Sequence, residues 1–222
     1  MTERGPAYWD ARYAAGDQLW NEGPHPEVVA LVTTLSRERA TPGRAVDLGA
    51  GDGRHAIWLA RAGWVVTAVD YSAQGIARAC GHAREAGVEV DWVVADVAQW
   101  APSELVDLVL LSYFHLEDDQ LARVCRWLTP GGHVLVVSHG PPGPDRCGPD
   151  RCGPDRCGPD GHRPTGSDGR GPRDPRYRKT VESLRDTVLR LGIPLEVLVC
   201  REAPRCGNGS GSDIVLLAQA SR

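Results

Sequence analysis

The chain has no apolar run long enough to cross a bilayer. Its longest, such as Val106 to Ser112, have the length of a single β-strand. The first ten residues lack the apolar centre of a signal peptide, so a cytoplasmic location is expected. A large charge of either sign is missing too. The net value of −4 excludes wholesale electrostatic attraction to nucleic acid. Lysine is nearly absent: Lys179 stands alone, while Arg, Ala, Gly and Pro are abundant. Genomic base composition accounts for that better than function does. The seven cysteines include no C-x2-C pair of the kind zinc modules use. In a reducing compartment they remain thiols. Cys80, Cys125 and Cys200 lie in periodic or apolar segments and read as small buried hydrophobes.

What is present is an alternation of short apolar runs with amphipathic ones, in 222 residues, enough for one α/β domain. Strands are expected at about 44–49, 64–70, 88–96, 106–113, 133–138, 195–200 and 214–220. Helices are expected at 53–63, 72–86, 118–128 and 180–191. Ser72 is a plausible N-cap, Pro130-Gly131-Gly132 a breaker, and Gly192 a helix end. Strand–helix alternation implies right-handed βαβ units and a parallel sheet with helices on both faces. The last two strands have no helix between them and should pair antiparallel. The result is an open sheet of seven strands with its ligand at the C-terminal strand ends.

One segment departs from the pattern. Gly143-Pro-Asp-Arg-Cys147 recurs at 148–152 and 153–157, then decays into Gly158-Pro-Asp-Gly161. With a proline every fifth position and no apolar core residues besides the thiols, it cannot bury enough surface to offset its ordering entropy. Residues 141–168 are therefore expected to be a flexible insert in a single domain spanning 1–222. Cys147, Cys152 and Cys157 are spaced C-x4-C-x4-C. His162 would be a fourth ligand, but tandem duplication explains the pattern more simply, and no metal site is expected.

The stretch Ala45 to Arg54, AVDLGAGDGR, ends the first strand in a glycine-rich turn. A dinucleotide fingerprint, G-x-G-x-x-G/A, fits Gly49 and Gly51 but fails at Arg54. The glycines run instead as Gly49-x-Gly51-x-Gly53, with Asp47 two residues ahead. A carboxylate there would repel a pyrophosphate and suit an ammonium group. Acids also close the second and third strands, Asp70 and Asp96.

This set resembles the first motifs of the seven-strand, Rossmann-like (class I) S-adenosylmethionine-dependent methyltransferases, over residues 40 to 140. The resemblance implies a mostly parallel α/β sheet with an antiparallel last strand. It implies S-adenosylmethionine as cofactor, held at its methionyl end by Asp47, Gly49, Ala50, Gly51 and Gly53. Asp70, with Tyr71 beside it, would take the ribose hydroxyls. Asp96 and the Val97 amide would meet the adenine. Ser112 would lie at the methyl-transfer face.

The N-terminal Tyr8-Trp-Asp-Ala-Arg-Tyr13, Leu19-Trp20 and Pro24-His-Pro-Glu-Val-Val29 are similar to methyltransferases of the tellurite-resistance and thiopurine S-methyltransferase type. Residues 1–40 would then form a lid and substrate-side helices, with Trp20, His25 and Tyr113 facing the acceptor. Covering the sheet edge is the plainer role for the aromatics. That resemblance implies a small-molecule acceptor, with thiols and selenium or tellurium species as its soft nucleophiles. A soft anion needs no general base, whereas a hydroxyl or ammonium nucleophile does. His115 and His139, after the fourth and fifth strands, are the candidate bases. The (Asp/Asn)-Pro-Pro-aromatic turn of DNA amino-methyltransferases is absent: this chain has Ser112-Tyr-Phe-His115. Arg163, Arg170, Arg173, Arg176, Arg178 and Lys179 form a basic run that reads as a solvated loop balanced by Asp168 and Asp174. Neither a membrane nor nucleic acid is the expected partner, and oligomeric state leaves no signal. Two rivals stand beside this reading: an NAD-dependent oxidoreductase, and a non-catalytic scaffold whose cysteine insert binds metal.

Overall fold

The computed structural model describes residues 5–15, 23–37, 43–142, 178–205 and 211–221. Trp20, the repeat at 143–161 and the arginines from 163 to 176 lie outside the described residues. The elements in chain order are α1 (Pro6–Ala14), α2 (Pro26–Arg37), β1 (Arg44–Leu48), α3 (Arg54–Arg61), β2 (Val65–Asp70), α4 (Ala73–Ala86) and β3 (Asp91–Val94). They continue with β4 (Val106–Ser112), α5 (Asp118–Cys125), β5 (Leu128–Pro142), α6 (Val181–Arg190), β6 (Leu195–Pro204) and β7 (Gly211–Ala220). Among the described residues no helix is long and apolar enough to cross a membrane.

The sheet has the order β3-β2-β1-β4-β5-β7-β6. Strands β1 to β5 are parallel, while β7 runs antiparallel to both β5 and β6. Order reverses between β1 and β4, which opens a crevice at their C-terminal ends. The near-continuous apolar strands are explained by burial on both faces. Val46, Val109, Leu111, Val136 and Leu216 face α5 and α6, where they meet Leu121, Val124, Leu184 and Val188. Leu108, Leu110, Leu135, Val137 and Val215 face the other way, onto Val28, Val32, Ala56 and Leu59 of α2 and α3.

Local chemistry sets the helix ends. Ser72 caps α4, its hydroxyl accepting from the Gly75 amide at 3.0 Å, and Gly87 ends it in the left-handed conformation. Thr180 and Ser183 form a reciprocal box at the start of α6. The Glu117 amide donates to Gln120 Oε1 at 3.2 Å ahead of α5.

Several boundaries differ from the sequence expectation. The third strand shrinks from 88–96 to Asp91–Val94, because β3 is an edge with β2 as its one partner. The helix expected to reach 128 stops at Cys125. Pro130-Gly131-Gly132 does not lie between elements: β5 begins at Leu128, which pairs with Val106 across a register shift. At the other end β5 reaches Pro142, two residues into the expected insert, by pairing with Gly211.

Candidate functional site

The chain leaves β1 through three glycines with positive φ: Gly49 at +70°, Gly51 at +58° and Gly53 at +85°. Side chains are strained there and glycine is not. The turn tucks back so that the Gly49 and Ala50 amides both donate to the Val69 carbonyl, at 2.9 and 3.1 Å. Space is equally restrictive. A Cβ on Gly53 would come within 2.6 Å of the Trp92 ring.

Among the described residues, three buried polar atoms at this turn lack partners: Asp47 Oδ2 beneath the glycines, Asp52 Oδ1 within the turn, and Ser112 Oγ beside it. Leu48 pairs with Leu111, so Ser112 lies alongside the turn. Burial pushes the Asp47 carboxyl up to about 7, against the pull of the neighbouring Arg54 guanidinium. An unsatisfied buried carboxylate is costly and fits a cationic ligand group.

Asp70 closes β2. Burial raises its pKa, opposed by amide hydrogen bonds from Ser72 and Gly51 at 2.8 and 2.9 Å. Each carboxylate oxygen has a second lone pair left to accept a hydroxyl. Tyr71, beside it, is pushed up to about 12, mainly by burial. Asp96 is exposed, and its Oδ1 accepts from the Ala98 amide at 2.9 Å; Val97 is buried. Helix α1 is tied to this corner. Asp10 Oδ1 accepts from the Ser72 hydroxyl at 2.6 Å and the Gln74 amide at 3.1 Å, while Arg78 donates to the Tyr13 carbonyl at 3.0 Å.

Past β4 and β5 the two candidate bases part company. His115 lines a small pocket on the α5/α6 side with Phe114, Ser138, Lys179 and Thr187. Burial lowers its pKa to about 4, helped by the nearby charges of His139 and Lys179. His139 turns to the α2 side, where its ring stacks on Tyr113 with centroids 4.5 Å apart. Tyr113 has φ of +56°, a conformation rare for an aromatic residue. Its hydroxyl donates to Asp213 Oδ2 at 2.7 Å.

Asp213, fully buried at the start of β7, is the hub of this side. Arg205 Nε donates to its Oδ1 at 3.0 Å, and His25 Nε2 lies 3.4 Å from Oδ2. His139 Nδ1 is 3.8 Å from Oδ1. Burial alone would raise the Asp213 pKa, but the surrounding His139, His25, Tyr113 and Arg205 side chains hold it well below the usual range. Behind His25, its amide donates to His55 Nε2 at 3.1 Å, and burial drives the His55 pKa well down. Arg54, where a dinucleotide site has a glycine, lies 5.9 Å from the centroid of the Tyr113 ring.

Residues 45–132, which hold the glycine turn and all three strand-end acids, match the family described as a methyltransferase domain. Over those residues the chain carries a methyltransferase domain. Over 91 residues it is 40% identical to a ubiquinone biosynthesis O-methyltransferase of Paramagnetospirillum magneticum, covering 39% of this chain and 36% of that one. The fold is similar to that of the N-methyltransferase NodS from Bradyrhizobium japonicum, solved with S-adenosylhomocysteine (TM-score 0.64, 16% identity, 96% of this chain and 97% of that). It is also similar to TehB from Haemophilus influenzae (TM-score 0.62, 16% identity, 97% of this chain and 67% of that). The chain spans between 36% and 61% of the length of the curated relatives it matches. The ligand of this domain class is S-adenosylmethionine. The orphaned Asp47 and Ser112 atoms and the cramped glycines of the methyltransferase domain fit its ammonium-bearing methionyl end.

The structure thus brings Asp47, Gly49, Ala50, Gly51 and Ser112 together at one crevice, with Asp70 and Tyr71 on its flank. It gathers His25, Tyr113 and His139 about Asp213, and sends His115 elsewhere. Sequence reasoning missed Asp213, Arg205, His55 and Phe114. An aspartate opening an apolar strand was visible in Asp213-Ile-Val-Leu-Leu217. Only the β5–β7 register, His139 opposite Asp213, gives it meaning.

Proposed function

We propose that the chain transfers the methyl group of S-adenosylmethionine to a small-molecule acceptor, in the cytoplasm. The observation that carries this reading is the unpartnered Asp47 carboxylate oxygen under a left-handed glycine turn. A dinucleotide phosphate would be repelled there, and Arg54 fills the third glycine position of that fingerprint. Asp47, Gly49, Ala50, Gly51, Gly53 and Ser112 hold the methionyl end, Asp70 with Tyr71 the ribose, and Asp96 with Val97 the adenine. Bound there, S-adenosylmethionine supplies an electrophilic methyl group on a sulfonium sulfur.

The protein contributes alignment and a dry cleft. Proximity and in-line placement supply most of the acceleration in a displacement of this kind. The N-terminal segment, 1–40, serves as the lid: α1 is fastened at Ser72 and Gln74, next to Asp70. His25 and Tyr113 face the acceptor. Soft nucleophiles (thiols, selenium or tellurium species) are the acceptors that the family resemblance favours. Acceptors bearing a proton would need one of the histidines.

Calorimetric titration of the protein with S-adenosylhomocysteine tests the site. Binding that disappears in Asp70→Ala supports it, and equal affinity in wild type and variant refutes it. Release of S-adenosylhomocysteine from S-adenosylmethionine across selenite, tellurite, thiols, phenols and amines then tests the activity.

A further inference from the structure

We infer that Arg123, on α5, is a positioning residue that sets the cofactor's nucleobase specificity: it holds the turn after β3 so that the site takes a 6-amino purine and rejects a 6-oxo one. The inference rests on the methyltransferase reading, in which Asp96 and Val97 meet the adenine.

The turn runs from Asp96 to Trp100. The Asp96 carbonyl accepts from the Gln99 and Trp100 amides at 2.9 and 3.1 Å, and Asp96 Oδ1 accepts from the Ala98 amide at 2.9 Å. In a trans peptide the N–H points opposite to the C=O of the same unit. The Asp96 carbonyl is turned inward, so the Val97 N–H is turned out of the turn. Among the described residues no protein group accepts from that N–H, although Val97 is buried. An outward N–H beside a carboxylate with one oxygen to spare sets a donor next to an acceptor. That pair matches N1 and the 6-amino group of adenine. Hypoxanthine, with a 6-oxo group and a proton on N1, presents the opposite pattern.

Arg123 fastens this turn to the body of the fold. Its Nη1 donates to the Trp100 carbonyl at 2.8 Å, and its Nη2 donates to the Val97 carbonyl. The guanidinium lies 5.1 Å from the centroid of the buried Trp127 ring, and Trp100 packs edge-on against the same ring at 5.6 Å. The Asp96 carbonyl belongs to the peptide before Val97, and the Val97 carbonyl to the peptide after it. With both held, the direction of the Val97 N–H is fixed. A planar fork reaches two carbonyls at once, which an ammonium on a flexible stem does poorly. A brace that served packing alone would have no stake in which base is bound. Here the braced residue is the one whose amide faces the ligand. A site built around such hydrogen bonds rejects an analogue that leaves its polar groups mispaired.

The test titrates the full chain calorimetrically with S-adenosylhomocysteine and with S-inosylhomocysteine, its 6-oxo analogue. Wild type should prefer the first by about tenfold or more. Arg123→Met keeps an apolar stem over Trp127 and removes both donors. It should lose about tenfold in affinity for S-adenosylhomocysteine while its affinity for S-inosylhomocysteine stays nearly level, so that the preference collapses. Arg123→Lys should fall between the two, and it decides the matter if Arg123→Met does not fold. In nitrogen–proton correlation spectra the Val97 amide should shift when S-adenosylhomocysteine is added to wild type, and shift much less in the variants. Equal losses for both ligands would make Arg123 a structural brace and overturn the inference. A Val97 amide that ignores the ligand in wild type overturns it too. Failure of wild type to bind either ligand sinks the methyltransferase reading and the inference with it. Tight binding of S-adenosylhomocysteine by wild type, with the same preference kept in both variants, sinks the inference alone.

Discussion

Gly49 and Phe114 meet so closely that a Cβ on the glycine would lie 2.6 Å from the Phe114 ring. The first glycine of the turn and the loop after β4 therefore share one volume, and neither can change shape alone. Gly49→Ala combines this overlap with a positive φ. It should cost about 1–3 kcal/mol of stability in urea unfolding and abolish S-adenosylhomocysteine binding. Gly87→Ala is the control: it has similar φ, +67°, with open space around it. It should lose about 1 kcal/mol from the backbone alone and keep its affinity. Equal affinities in the two variants would refute the assigned role of the turn.

Asp47 makes cofactor affinity depend on pH. Its folded pKa, about 7, lies above the ordinary 3.8. The folded state therefore holds a proton that the unfolded state has already lost across that interval. Stability from this group is complete below pH 4 and is lost as pH rises through about 7. A cationic ligand reverses the balance by favouring the carboxylate. Thermal stabilisation by S-adenosylmethionine should thus grow from pH 6 to pH 8, with proton release visible in calorimetry across buffers of different ionisation enthalpy. Asp47→Asn should flatten both curves. A wild-type response independent of pH would show that Asp47 does not face the ligand's charge.

Asp70 ties the cofactor corner together as well as facing it. Asp70→Asn keeps the shape but turns one acceptor oxygen into a donor opposite a backbone amide. The expected result is a loss of about 1–3 kcal/mol in stability and at least a tenfold loss of S-adenosylhomocysteine affinity. Chemical denaturation and calorimetry on the same sample separate the two effects. Retained affinity with lost stability would make Asp70 purely structural.

Tyr113→Phe removes the hydroxyl that donates to Asp213 and leaves the strained backbone in place. The lost bond is to a buried charge, so a destabilisation of about 1.5–3 kcal/mol is expected at neutral pH. Because Asp213 stays ionised well below the usual carboxylate range, the difference from wild type should persist across mildly acid pH. Equal stability of the two proteins at neutral pH would mean the hydroxyl bond contributes little.

The glycine turn and its acids were legible in the sequence because they are local. Asp47 and the three glycines fall within seven residues, and Asp70 and Asp96 mark strand ends that apolar runs betray. Strand direction was legible for the same reason: β6 and β7 have no room for a crossover between them. The cluster about Asp213 is assembled from distant pieces. His25, Tyr113, His139, Arg205 and Asp213 come from five separate stretches of the chain, two of them strands. Nothing in their local spacing announces that one carboxylate gathers Tyr113, Arg205 and His25. Pairing His115 with His139 looked natural because both follow strands. Alternation along β5 sends Ser138 to the α6 side and His139 to the other, and so parts the two histidines.

Strand β7, slotted between β5 and β6, has a consequence for how the molecule comes into being. A ribosome delivers β1 to β4 first, and their parallel pairing can form the crevice at the glycine turn while the rest is still being made. The Asp213 cluster must wait for β7, because Asp213 enters the sheet only when that strand inserts beside β5. Order of synthesis thus separates the two clusters: the glycine turn can close before Asp213 has a sheet to enter.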